Sequence, residues 1–228
     1  MTAPNGAPAQ LVEAVNPRLE DLATLRQTLS ADLERIPAGR LSQAFLVVLS
    51  GLPGTGKSHF ARELVSRVPL VVLSSDRLRK ALVGQPQYSA GESSRLFSAC
   101  HQLIEELLRE GRKVLFDATN LNEGFRQPLY DITDRLGVPL VLVHLTAPNG
   151  VIYRRLTGRS NGQLDSSYSD ADWLIYCRLK PLEQPIARPH YRVDTSQDIT
   201  PVVEEIARRV RAGRRGKARG HLETAPQT

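Results

Sequence analysis

Gly51-Leu52-Pro53-Gly54-Thr55-Gly56-Lys57-Ser58 is the stretch on which the reading of this chain turns. It fits G-x-x-x-x-G-K-[ST], a glycine-rich turn that aims backbone N–H groups at phosphate oxygens where a helix begins. Its flanks suit that geometry. Phe45-Leu46-Val47-Val48-Leu49 before it is a continuous apolar run of strand length, and His59–Val68 after it reads as a helix. In this pattern Lys57 reaches the outer phosphates and the Ser58 hydroxyl ligates Mg²⁺. The expected ATP-binding set is Gly51, Gly54, Thr55, Gly56, Lys57, Ser58 and the adjoining His59.

Outward from that loop, strand-like and helical spacings alternate. Strands are expected at Phe45–Leu49, Leu70–Leu73, Lys113–Phe116, Leu140–Leu145 and, shorter, Arg192–Asp194. The first four are unbroken apolar runs, as befits strands covered on both faces. Helices are expected at His59–Val68, Arg77–Val83, Glu92–Glu110, Glu123–Leu136, Asn149–Thr157, Ala171–Leu179 and Pro201–Ala212. That rhythm predicts an α/β fold of three layers (αβα) around a mainly parallel five-stranded sheet. Gly84–Gly91 and Gly158–Asp170 lack apolar periodicity and are expected as loops able to move over a ligand.

Leu19, Leu22, Leu25, Leu29, Leu33 and Ile36 recur at three- and four-residue steps, which predicts one amphipathic helix over Arg18–Ile36. Such a helix either packs on the sheet or forms a dimer seam. The domain reading is a tail and helix over 1–43, a nucleotide-binding domain over 44–211 and a basic tail over 212–228.

Of 30 basic residues, seven fall between Arg208 and Arg219, and Glu223 is the one acid beyond residue 207. Residues 1–207 thus hold 23 bases and 23 acids, so the net charge of +6 belongs to the C-terminal end. A basic tail of this kind can hold nucleic acid or an anionic surface, or serve as a solubilising end. No apolar run approaches the roughly 20 residues of a membrane span. The first ten residues lack the pattern of a signal peptide. Two cysteines far apart, Cys100 and Cys177, favour a cytoplasmic chain with structural thiols. Oligomeric state is open.

Ligands of parallel α/β sheets collect at the carboxyl ends of the strands. After the second strand stand Asp76 and, one helical turn on, Arg79. A carboxylate here can take the proton of an attacking hydroxyl, and an arginine can grip an anionic part of the acceptor. After the third strand comes Asp117-Ala118-Thr119-Asn120-Leu121-Asn122. Asp117 is the second expected Mg²⁺ contact, with Thr119 and Asn120 facing the acceptor. Arg126 is either an acceptor contact or a surface charge. Arg155 and Arg159 share a face if their helix continues that far, and Gly158 suggests that it stops and that Arg159 opens the loop. Arginines on a closing lid neutralise charge on a transferred phosphoryl group.

GLPGTGKS, D-x-x-R (Asp76, Arg79), DATNLN (Asp117–Asn122) and R-x-x-x-R (Arg155, Arg159) together resemble the kinase domain of polynucleotide 5′-kinases. They also resemble its smaller relatives, zeta toxins and chloramphenicol phosphotransferases. The resemblance runs from about Ala44 to Asp194 and implies a P-loop NTPase fold of kinase type using ATP and Mg²⁺. It implies Asp76 as general base, Arg79 on the acceptor-strand phosphate, and Arg155 or Arg159 on the transferring phosphate beside Lys57. The chain departs from the family at His59, usually Thr there, whose side chain reads as packing or surface. The expected activity is transfer of the ATP γ-phosphate to a hydroxyl, on a small molecule, a nucleotide or a nucleic-acid 5′ end. The alternative is a P-loop ATPase acting as a nucleotide-dependent regulator.

Overall fold

The computed structural model describes residues 17–160, 173–213 and 222–223. Two helices come first, α1 (Pro17–Thr28) and α2 (Ser30–Arg35). Strands and helices then alternate: β1 (Phe45–Ser50), α3 (Lys57–Val65), β2 (Val71–Ser74), α4 (Ser75–Val83), α5 (Ala90–Arg109), β3 (Lys113–Asp117), α6 (Glu123–Leu136) and β4 (Leu140–Thr146). The described chain continues through α7 (Asn149–Ser160), α8 (Trp173–Leu179), β5 (His190–Asp194), α9 (Thr200–Ala212) and a two-residue β6 (Leu222–Glu223).

The sheet order is β2-β3-β1-β4-β5-β6. The first five strands run parallel, and β6 pairs antiparallel with His190 and Tyr191 at the edge. Register levels the strand ends: Asp117 sits beside Leu49 of β1 and beside Ser74 of β2. The turns after β1, β2 and β3 therefore open onto one place, as the parallel arrangement requires of a ligand site.

Each central strand is buried on both faces because its alternate side chains feed separate cores. Leu46, Val48, Val114 and Phe116 join Leu25, Leu29, Leu103 and Leu107 on one side. Phe45, Val47, Leu49 and Leu115 join Phe60, Leu64, Val203 and Ile206 on the other. A smaller cluster of Leu52, Leu121, Ile152, Leu156 and Tyr176 underlies the site end.

The single N-terminal helix expected from periodicity is interrupted. Leu29 adopts φ −98° and ψ 4° between α1 and α2. The bend leaves Leu25 and Leu29 fully buried while Leu19 stays 59% exposed. α1 packs mainly on α4 and α5, whereas the short α2 touches β2 of the sheet. A bidentate pair from Arg95 to Asp21 (2.8 and 2.6 Å) and a bond from Arg26 to Glu110 (2.5 Å) tie α1 down.

Two further readings change. Gly158 does not end α7, which continues to Ser160; with no positive φ at Gly158, nothing there reverses the chain. Of the seven basic C-terminal residues, Arg208, Arg209 and Arg211 belong to α9. Arg209 donates to the Tyr191 hydroxyl (2.8 Å) and Arg211 to the Arg67 carbonyl (2.8 Å), so part of the basic run is structural. Most of the expected Gly158–Asp170 loop, and the tail apart from residues 212, 213, 222 and 223, lie outside the described residues. Among the described residues no helix is long and apolar enough to cross a membrane.

Candidate active site

Two glycines let the loop between β1 and α3 sit where it does. A Cβ on Gly51 would run into the Leu145 carbonyl oxygen. Gly56 has φ +88°, and a Cβ there would lie 3.0–3.2 Å from three atoms of the Thr195 side chain. Only glycine meets both conditions. Thr55 is buried and closes the turn from within, its Oγ1 donating to the Leu52 carbonyl at 2.7 Å. Lys57 Nζ folds over the loop and donates to the same carbonyl at 3.0 Å.

The loop is braced from outside by the turn after β5, a contact that sequence reading missed. Thr195 Oγ1 donates to the Thr55 carbonyl at 2.8 Å. Arg155 Nη1 donates to that Oγ1 at 2.8 Å and to the Gly54 carbonyl at 3.2 Å, and its Nη2 donates to the Thr195 carbonyl at 2.9 Å. The Arg155 guanidinium thus holds the loop to the β5–α9 turn. Arg159 falls in the last turn of α7.

Ser58 Oγ donates to Asp117 Oδ2 at 3.0 Å. Asp117 is 7% exposed, and burial pushes its carboxyl up from the ordinary aspartate value. The nearby Lys57 charge and the Ser58 hydrogen bond work the other way and only partly offset it. A hydroxyl and a carboxylate, both hard oxygen donors, are the donor set that suits Mg²⁺. Among the described residues no group of three or more His, Cys, Asp or Glu could hold a metal. An ion bound at Ser58 and Asp117 would therefore take its remaining oxygens from phosphate and water.

Asp76 lies in the first turn of α4, behind Ser74, which occupies the N-cap position without a side-chain cap bond. A carboxylate there also suits the positive end of the helix. Lys57, Ser58, Asp76 and Asp117 all line one cavity of about 400 Å³. A second cavity of about 380 Å³, reaching toward Arg62 and Val65 of α3, shares Ser58, Asp76 and Asp117. His59 is exposed on α3 and lines neither cavity, so its side chain stands apart from the set expected around ATP.

The acceptor-side expectations divide. Thr119 lines the larger cavity, as expected. Asn120 does not face it: it is 0% exposed, and its Nδ2 donates to the Leu49 carbonyl at 2.7 Å. Arg126 is likewise 0% exposed. Its guanidinium donates to the carbonyls of Asn120 (2.7 Å), Gln184 (3.0 Å) and Pro185 (2.8 Å) and pairs with Glu123. It clamps the turn after β3 to the segment after α8, an internal role that the R-after-DATNLN spacing could not reveal. Arg79 does line the cavity, 6% exposed, but is already paired with Glu92 of α5 at 2.5 Å. Phe97 and Phe125, stacked at 4.2 Å between ring centres, and Arg178 of α8 also line it. None of these carried a motif.

Residues 46–174, more than half of the chain, match the AAA domain family AAA_33. The chain belongs to this family. An L-seryl-tRNA(Sec) kinase of Methanococcus maripaludis is 25% identical over 115 residues, 48% of this chain and 44% of that protein. The chain therefore spans under half the length of this relative. Two solved structures are similar in fold. One is the Mycobacterium tuberculosis APS kinase CysC in complex with AMPPNP and APS (TM-score 0.52, 19% identity, 75% of this chain and 96% of that one). The other is Chaetomium thermophilum Kti12 in complex with ADP-AlF₃ (TM-score 0.57, 19% identity, 75% of this chain and 100% of that one). The family and these neighbours share the three-layer P-loop architecture read from the strand rhythm.

Proposed function

We propose that the chain is an ATP-dependent kinase that transfers the γ-phosphate to a hydroxyl acceptor. The observation that carries this reading is the convergence of Lys57, Ser58, Asp117 and Asp76 on one cavity. The first three are a triphosphate and magnesium set; the fourth has no task in nucleotide binding and fits a base for the acceptor. The seryl-tRNA and APS kinases named above support the class of reaction.

In this mechanism the loop amides and Lys57 hold the β- and γ-phosphates. Ser58 and Asp117 would hold Mg²⁺, which would supply charge neutralisation at the phosphates. Asp76 accepts the proton of the acceptor hydroxyl. The acceptor oxygen bonds to the γ-phosphorus as the bond to the β–γ bridging oxygen breaks, and ADP departs. Arg155 keeps the loop in shape, and its neighbour Arg159 is the lid arginine offered to the transferring phosphate. Thr119 is the acceptor contact retained from the sequence reading. Within P-loop kinases we place the chain with the polynucleotide-kinase, zeta-toxin and chloramphenicol-phosphotransferase group on its D-x-x-R and DATNLN elements. Its location is the cytoplasm, on the strength of its two separate thiols.

The test is a single-turnover assay with γ-labelled ATP and a panel of oligonucleotides with free 5′-hydroxyls, nucleosides, amino sugars and antibiotics. Label on an acceptor supports a kinase; label appearing only as free phosphate supports the hydrolytic regulator instead. Removing residues 214–228 addresses nucleic acid as a partner. A salt-dependent rise in KM for an oligonucleotide would make the tail part of that site.

A further inference from the structure

We propose that the acceptor is an uncharged alcohol with a flat apolar body, and that Glu92 sets this selectivity by neutralising Arg79. This deepens the kinase reading and rests on it. Away from the phosphate loop, the larger cavity is lined by Phe97, Phe125, Leu121, Ile175, Leu179 and Leu182. Gln87, Ser93, Thr119 and Asn122 add polar groups to the lining, but hydroxyls of a polyhydroxylated sugar set against the apolar residues would stay unpaired, whereas a ring would be buried there favourably.

The buried guanidinium of this half, Arg79, is charge-paired by Glu92, although its Nε is buried without a hydrogen-bond partner. Its Nη1 donates to Glu92 at 2.5 Å, and the two side chains are 7% and 10% exposed. The Tyr88 ring lies 4.9 Å from the guanidinium carbon. The other Glu92 oxygen accepts from the Gln87 amide at 2.8 Å. Burial alone would raise the Glu92 carboxyl, yet the bonds from Arg79 and Gln87 hold it below the usual range, so it stays ionised beside its partner. An anionic acceptor seeking Arg79 would compete with Glu92 and leave a buried carboxylate facing its own charge. Arg178, the other cation on this side, is exposed, where solvent screens it. The family resemblance had assigned Arg79 to a phosphate of the acceptor, and this pairing argues against that.

The experiment compares transfer of label from ATP to 3-phenylpropane-1,2-diol, to its acid 3-phenyllactate, and to glycerol as the ring-free control. In the wild type, kcat/KM for the diol should exceed both others by at least about tenfold. Glu92→Gln keeps an acceptor for the Gln87 amide and should move the diol-to-acid ratio about tenfold toward the acid, with KM for ATP unchanged. Preference for the acid or for glycerol in the wild type, or an unmoved ratio in Glu92→Gln, would overturn the proposal. The wild-type ratio is read whether or not the variant folds. If none of the three is phosphorylated, Trp173 fluorescence with AMPPNP bound gives their affinities directly; no binding of the diol at millimolar concentration also overturns it. Label on an anionic acceptor sinks this proposal and leaves the kinase standing, while hydrolysis with no labelled acceptor in the wider panel sinks the kinase reading itself.

Discussion

Ser58 Oγ at the start of α3 and Asp117 Oδ2 at the end of β3 lie 3.0 Å apart, although 59 residues separate them in the chain. The parallel pairing of β1 with β3 makes the contact, and burial makes it costly, since it disfavours an ionised Asp117. Asp117→Asn should therefore stabilise the nucleotide-free protein, at about 2–4 °C in Tm per kcal/mol recovered. Turnover should fall by about a hundredfold or more, and the thermal shift given by ATP with Mg²⁺ should shrink to that given by ATP alone. Calorimetry of both proteins with and without the ion checks this. A fall in Tm for the ligand-free variant would count against it.

Lys57→Ala should abolish nucleotide use. Asp76→Asn should separate binding from chemistry: ATP affinity stays within a few-fold while turnover drops by about a hundredfold or more. Near-normal transfer by the asparagine variant would remove the base assignment.

Thr195 braces a loop to which it is not adjacent in sequence. Thr195→Val keeps the shape but deletes the hydroxyl that donates to Thr55 and accepts from Arg155. The loss should cost about 1 kcal/mol in nucleotide affinity, a several-fold rise in Kd by isothermal titration. Thr195→Ser should restore the wild-type value.

Arg126→Met should cost about 3–5 kcal/mol in urea denaturation, because it leaves the Gln184 and Pro185 carbonyls without this donor and Glu123 without its cation, while the Asn120 carbonyl keeps Ser50 and Glu123 keeps the Ala187 amide. A loss under about 1 kcal/mol would return Arg126 to the role of an exposed contact.

His101 packs against Phe97 and Phe116, and burial depresses its pKa to about 4 despite a hydrogen bond with the Phe125 backbone. An unfolded chain takes up this proton near pH 6.5, the folded one only near 4. The contribution is thus fully present above about pH 6.5 and is lost as pH falls to about 4, at most about 3 kcal/mol. His101→Phe should flatten that part of the stability–pH curve, measured by urea melts across the interval.

The nucleotide half of the site could be read from the chain because its information is local. Strand, glycine turn, Lys57, Ser58 and helix follow one another without a break, and their periods are those of the elements they form. The positions of Asp76 and Asp117 on the cavity were legible for the same reason, as one stands just past the end of an apolar strand and the other closes one. The acceptor half could not be read in this way. Arg79 meets Glu92 across two helices, Arg126 turns inward to carbonyls 58 and 59 residues on, and Arg155 reaches Thr195 40 residues on. Whether an arginine serves a ligand, a neighbour or a backbone depends on which partner tertiary packing brings within about 3 Å, and no spacing along the chain encodes that.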